Sequence, residues 1–147
     1  MSLVLDSSVA AAWIYSEETT AAVGRVLAQV IAGAAWVPAL WRLEVANLLE
    51  MGVRRRRTPA AFRDASLADL SLLPIQVDAE TDGRAWGATL QLAIRYRLTL
   101  YDATYLELAK RRDLPLATLD AELLTGAGPR VAAPRDPLDA RLGRGPH

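Results

Sequence analysis

Short apolar runs alternate with longer amphipathic stretches along this chain, and the alternation predicts an α/β fold. Leu3-Val4-Leu5 stops abruptly at Asp6-Ser7-Ser8, which reads as a strand followed by a capped helix from Val9 to Tyr15. Glu17 to Ala32 reads as a helix closed by Gly33, and Ala35-Trp36-Val37 before Pro38 as a second strand. Leu40 to about Arg56 is helical in pattern, and Thr58-Pro59 opens a further helix with proline at its first position. Pro74 to Val77 predicts a third strand, Ala79 to Tyr96 a long helix, and Thr99 to about Arg112 another. Leu116 to Leu119 is strand-like, Asp120 starts a short helix that runs out at Gly126, and Arg130-Val131-Ala132 offers a last strand. The expected architecture is three-layered: a central, mostly parallel sheet of about 4–5 short strands between helices, with right-handed crossovers. One domain over residues 1–133 and a frayed tail over 134–147, poor in apolar residues, complete the division.

Composition narrows the chemistry. Of 147 residues, 52% are hydrophobic, enough to bury a single core. Lys plus Arg balances Asp plus Glu at 17 each, so any polyanionic partner must be held by local rather than global charge. Cysteine is absent, which removes disulfides, thiolate nucleophiles and Cys-based metal sites and fits a cytoplasmic protein. The N-terminus lacks a basic, apolar leader, and the longest apolar stretch, about residues 21–36, is broken by Arg25 and Gln29, so no membrane segment is expected. The one histidine is His147, which leaves histidine-based catalysis without a candidate. Carboxylates remain, and the ions they suit are hard: Mg²⁺ or Mn²⁺.

Four carboxylates stand out. Asp6 and Asp120 each follow an expected strand, on the rim where ligands of parallel sheets collect, although either could simply cap the next helix. Glu44 lies between Leu40 and Leu48 at helical spacing, flanked by Trp41, Val45 and Leu49, so it must be paired or ligate a cation. Arg42 and Arg55 are the alternative ion-pair partners. Asp102 closes a capping box with Thr99, yet shares a helical face with Tyr105, Leu106 and Ala109 and so heads inward. Acids crowded together repel unless divalent cations balance them, an arrangement suited to metal-assisted phosphodiester cleavage.

With these residues in place the chain resembles a PIN-domain ribonuclease, and more closely the VapC toxins of bacterial toxin–antitoxin pairs. The likeness runs from Leu3 to about Val131. Leu5-Asp6-Ser7-Ser8-Val9-Ala10 with Trp13 looks like the opening strand and first acid, and residues 43–49, LEVANLL, like the second acid on its helix. Residues 98–109, LTLYDATYLELA, form the most specific segment, and residues 114–120, LPLATLD, resemble the closing strand with its threonine and fourth acid. The resemblance implies that Asp6, Glu44, Asp102 and Asp120 bind metal, Asp6 and Asp102 most directly. It further implies that Ser7, Ser8 and Thr118 orient water or phosphate and that Asn47 steadies Glu44. An RNA substrate, a homodimer and a VapB-type antitoxin are implied as well.

Other readings compete. A noncatalytic PIN scaffold that binds RNA or a partner would be signalled by loss of an acid, and all four are present. A haloacid-dehalogenase-type phosphatase wants a second Asp two residues after the first, where this chain has Ser8. Arg54 to Arg57 is either a solvated helix end or a phosphate-binding patch. Trp13, Tyr15, Trp36, Trp41 and Trp86 are expected in the core or an interface; exposure of Trp13, Tyr15 or Trp41 would point to an antitoxin groove.

Overall fold

The computed structural model describes residues 2–123. Four strands form one all-parallel sheet: β1 (Leu3–Leu5), β2 (Ala35–Val37), β3 (Ile75–Val77) and β4 (Leu116–Ala117), in the order β3-β2-β1-β4. Leu3 stands opposite Ala35, Val4 opposite Leu116 and Val37 opposite Val77. All three residues of β1 are buried, as expected of a central strand covered on both faces. The sequence expectation of short parallel strands between helices is met; the fifth strand, at 130–132, and the tail lie outside the described residues.

The helices are α1 (Ser7–Ile14), α2 (Ala21–Gly33), α3 (Trp41–Arg54), α4 (Ala60–Ser71), α5 (Thr81–Arg84), α6 (Leu90–Tyr96) and α7 (Leu100–Arg112). Two differ from the apolar pattern. The expected helix from Glu17 breaks into a 3-10 turn, Ser16–Glu18, and α2, because the Thr20 hydroxyl accepts the Val23 N–H at 3.2 Å and starts a new helix there. The expected helix from Ala79 to Tyr96 is interrupted by a π-helical turn over Ala85–Thr89, where Gly87 departs to φ −109°, ψ −107°. Proline at 59 precedes its helix as the cap instead of opening it.

The core joins β1, β2 and β4 to one face each of α1, α2 and α3 and to α7, which is buried all round from Ala103 to Ala109, with Leu5, Leu49, Tyr105, Leu106 and Leu108 among its largest fully buried side chains. Tyr15 and Trp41 belong to it, and Trp13, half-buried, donates its indole N–H to the Val23 carbonyl at 2.8 Å. None of the three offers the exposed groove considered above. Gly52 lets α3 approach Tyr15: a Cβ there would sit 2.6 Å from the Tyr15 hydroxyl. Trp86, expected in the core or an interface, is not in the core: it is 91% exposed. Among the described residues no helix is long and apolar enough to cross a membrane.

β1 leads outward through β2 to β3, and the chain then returns to β1's other side as β4. The direction of winding therefore reverses beside β1, and at such a reversal the carboxyl ends of the strands leave a crevice.

Candidate functional site

The four acids lie around this crevice, close enough that, after burial, the charge of another of the four raises the pKa of Asp6, Glu44 and Asp102. Asp6 follows β1 directly, and its N–H donates to the Ala117 carbonyl at 3.0 Å, extending the β1–β4 ladder. Asp120 follows β4. Glu44 and Asp102 lie in the first turns of α3 and α7. Because α3 leaves the sheet after β2 and α7 runs back before β4, both helices begin at the carboxyl rim. Their N-terminal dipoles, with that of α1, favour negative charge there.

Asp6 is only 4% exposed, and its side chain caps no helix. Its Oδ2 accepts two hydroxyl hydrogens, from Ser8 Oγ and Thr118 Oγ1, each at 2.7 Å. Each hydroxyl accepts in turn from a backbone amide at 3.0 Å: Leu119 N–H to Ser8, Asp120 N–H to Thr118. A hydroxyl has one hydrogen, so the direction of both chains is fixed and both end on the same oxygen. Ser8 and Thr118, expected to orient water or phosphate, orient Asp6 itself. Oδ1 receives neither hydroxyl.

Glu44, half-buried, accepts a hydrogen bond at Oε1 from the hydroxyl of Tyr105, which is itself fully buried on α7. Neither arginine considered as its partner pairs with it among the described residues, and Asn47 is exposed and makes no hydrogen bond to it. Ser7 lies against the Tyr105 hydroxyl, which links the first and second acids through a buried phenol. Tyr105 is the residue that reading the sequence missed. The signal was there, since Tyr105 shares the inward face of α7 with Asp102. Asp102 is half-buried; its N–H donates to the Thr99 hydroxyl at 3.1 Å, so the expected cap forms, and Thr99 also hydrogen-bonds the Asp102 carboxylate. Asp120 accepts the Glu122 N–H at 2.9 Å.

Burial first, then neighbouring carboxylates, raise the pKa of three of the acids. For Asp6 burial and the charge of Asp120 outweigh the hydrogen bonds of Ser8 and Thr118. Burial again leads for Glu44, offset in part by Tyr105 and reinforced by Asp6 and Asp102. For Asp102 burial is followed by the charges of Asp120 and Asp6, with Glu122 as a further, unforeseen contributor. The acids thus feel one another, and among the described residues none has an arginine or lysine partner. The other buried acids, Asp78 and Glu107, are both paired with Arg111 at 2.6 and 2.8 Å.

Oxygen donors without a counter-cation suit a hard divalent ion. Among the described residues no three acids already converge on one point, so binding requires side chains to close on the ion. A raised folded-state pKa means that the native chain holds more protons than the unfolded one between the ordinary carboxylate pKa and the raised value. Stability contributed by that group is therefore lost as pH rises through this window. Asp102→Asn is expected to melt at a higher temperature than the parent in EDTA, by a margin that widens from acid to neutral pH and narrows with Mg²⁺. A margin that is constant with pH would remove electrostatic crowding from the account.

Exposed apolar side chains flank three of the acids in sequence: Leu43 (75% exposed), Tyr101 (68%) and Leu119 (44%). They border the rim with surface able to bury against a base or an apolar peptide.

A family model described as PIN domain matches residues 3–127. The fold is similar to the crystal structure of PAE2754 from Pyrobaculum aerophilum, with 23% identity and a TM-score of 0.65 over 87% of this chain and 86% of that one. It is also similar to a toxin–antitoxin complex from Klebsiella pneumoniae, with 18% identity and a TM-score of 0.61 over 91% of this chain and 98% of that one. At these identities the likeness is one of fold. No curated protein matches in sequence.

Proposed function

This chain belongs to the PIN-domain family, and from that premise we propose that it is a Mg²⁺- or Mn²⁺-dependent endoribonuclease, the VapC-type toxin of a toxin–antitoxin pair. The observation that supports the reading is that Asp6, Glu44, Asp102 and Asp120 lie near one another at the carboxyl rim of the sheet with no arginine or lysine partner among the described residues. These four would hold the ion. When bound, such an ion lowers the pKa of its water and stabilises charge on the phosphodiester oxygens. The protein's part is to fix the donors: Ser8 and Thr118 hold one oxygen of Asp6, and Tyr105 holds one oxygen of Glu44.

The toxin reading draws support from the fold's likeness to a toxin–antitoxin complex and from the apolar residues around the acids, which would cover an inhibitory antitoxin segment as readily as a base. Leu90 and Ile94, one turn apart on α6 and 41% and 70% exposed, with Trp86, 91% exposed on the other side of the break at Gly87, give a homodimer apolar surface to bury. A cysteine-free chain fits the cytoplasm, where RNA and an antitoxin would be met.

Incubation of purified protein with total bacterial RNA, in Mg²⁺ or Mn²⁺ and in EDTA, tests the reading. Discrete fragments that vanish in EDTA are expected, from a preparation that sediments as a dimer. RNA left whole under every metal condition would turn the assignment to a noncatalytic PIN scaffold, and a monomer would remove the homodimer.

A further inference from the structure

On the α6 side of α7 an open cleft of about 470 Å³ is lined by Arg84, Gln91, Arg95, Glu107, Lys110 and Arg111, among others. Four of these six are cations and one is an acid. Both oxygens of Glu107 are taken by Arg111, at 2.8 and 3.2 Å, and Arg84 pairs with Glu80 at 3.2 Å. Arg95 and Lys110 are different. Both are exposed, neither has a carboxylate partner among the described residues, and both cations stand over the ring of Tyr96, at 5.3 and 6.0 Å from its centroid. Each lies in the last turn of its helix, where the dipole favours a cation, and that accounts for either one alone. It does not account for two unpaired like charges sharing one ring in a cleft whose other polar lining, Gln91, also offers N–H groups. Such a cleft leaves Arg95 and Lys110 without a counter-charge among the described residues.

We propose that this cleft holds the phosphate backbone of an RNA strand, at phosphates a few nucleotides from the one brought to the acids. Lys110 follows Asp102 by eight residues on α7, which is about 12 Å along the helix axis. A stacked strand covers that distance in about three to four nucleotides, at roughly 3.4 Å each. The inference rests on the ribonuclease reading. It also answers how a chain with no net charge grips a polyanion: in the arginine run at 54–57, Arg54 is paired with Glu50 and Arg57 with Glu17, while in the cleft Arg95 and Lys110 remain available.

The test is binding of a fluorescent single-stranded oligoribonucleotide by the full chain in EDTA, across a salt series, for the parent and for an Arg95→Gln/Lys110→Gln double variant. The variant is expected to bind about tenfold more weakly, with the slope of log K against log salt reduced by about 1.4, the loss of two phosphate contacts on a single strand. Unchanged circular dichroism and melting temperature show that the fold is kept, and the single variant Lys110→Gln, expected to lose about half of the slope change, replaces the double one if it fails to fold. A parent that binds RNA and a variant that matches it in affinity and slope would overturn the cleft assignment alone. A parent that binds no RNA would overturn the ribonuclease reading and the cleft with it.

Discussion

Asp6→Asn is expected to abolish RNA cleavage, by about a thousandfold or more, in a chain that folds as the parent does. The substitution is chosen because the geometry around Asp6 tolerates it: an amide oxygen accepts the hydroxyls of Ser8 and Thr118 as the carboxylate Oδ2 does, so both directed chains of hydrogen bonds persist. What is lost is the negative charge and one oxygen donor. A bound ion stabilises the reacting phosphodiester by several kcal/mol, and a tenfold change in rate corresponds to about 1.4 kcal/mol, so losing about 4 kcal/mol of that gives the expected factor. Cleavage rates from single-turnover gels, beside circular dichroism of both proteins, make the comparison. A folded Asp6→Asn that cleaves at the parent's rate would remove Asp6 from the chemistry and reopen the roles of Glu44 and Asp102.

The largest effect on stability is expected at Arg111, far from that chemistry. Its guanidinium bridges Asp78, which is 1% exposed, and Glu107, which is 4% exposed, and also reaches Glu80 at 3.0 Å. Arg111→Ala leaves buried Glu107 without a cation and buried Asp78 with only Arg112, 3.8 Å away, and removing one partner of a buried pair costs about 3–5 kcal/mol. For a domain of this size that is a fall in melting temperature of about 10 °C or more. Burial pushes the Asp78 carboxyl up, but the hydrogen bonds of Arg111 and Thr81 prevail and hold it below the usual range. The stability it contributes is therefore present above the unfolded carboxylate pKa and is lost as pH falls through the lower folded value. The penalty of Arg111→Ala should shrink in acid accordingly. A loss under about 1 kcal/mol at neutral pH would mean that water reaches these acids and that the network is peripheral.

How much of this could be read from the sequence depends on the range of the interaction. The four strands are short apolar runs bounded by Asp6, Pro38, Asp78 and the Pro115 turn, and local contrast suffices to find them. The break at Gly87 could not be read, because the apolar spacing of Trp86, Leu90 and Ile94 continues across it and a Cβ at Gly87 would touch nothing. Whether Trp86 lies in the core or an interface could not be read either; amphipathic period says that a face is apolar, not what covers it. The four acids were marked by their places after strands and on inward helical faces. Their partners were not, because the Thr118–Asp6 bond spans 112 positions and the Tyr105–Glu44 bond spans 61. The arginine run shows the same limit: Glu17 and Glu18, which neutralise Arg57, come from the other side of α2 and β2.

That separation of 112 positions has a consequence for the life of the polypeptide. Chains leave the ribosome N-terminus first, at about 5–20 residues per second. Asp6 is thus made early and waits for Thr118 and for the Leu119 amide that sets the hydrogen of Ser8. Until β4 docks against β1, the nascent chain carries the first three acids without the scaffold that aims the first of them. The order of synthesis itself delays completion of the site, and, on the ribonuclease reading, a product cut short before Leu116 would lack the Thr118 hydroxyl that holds Asp6.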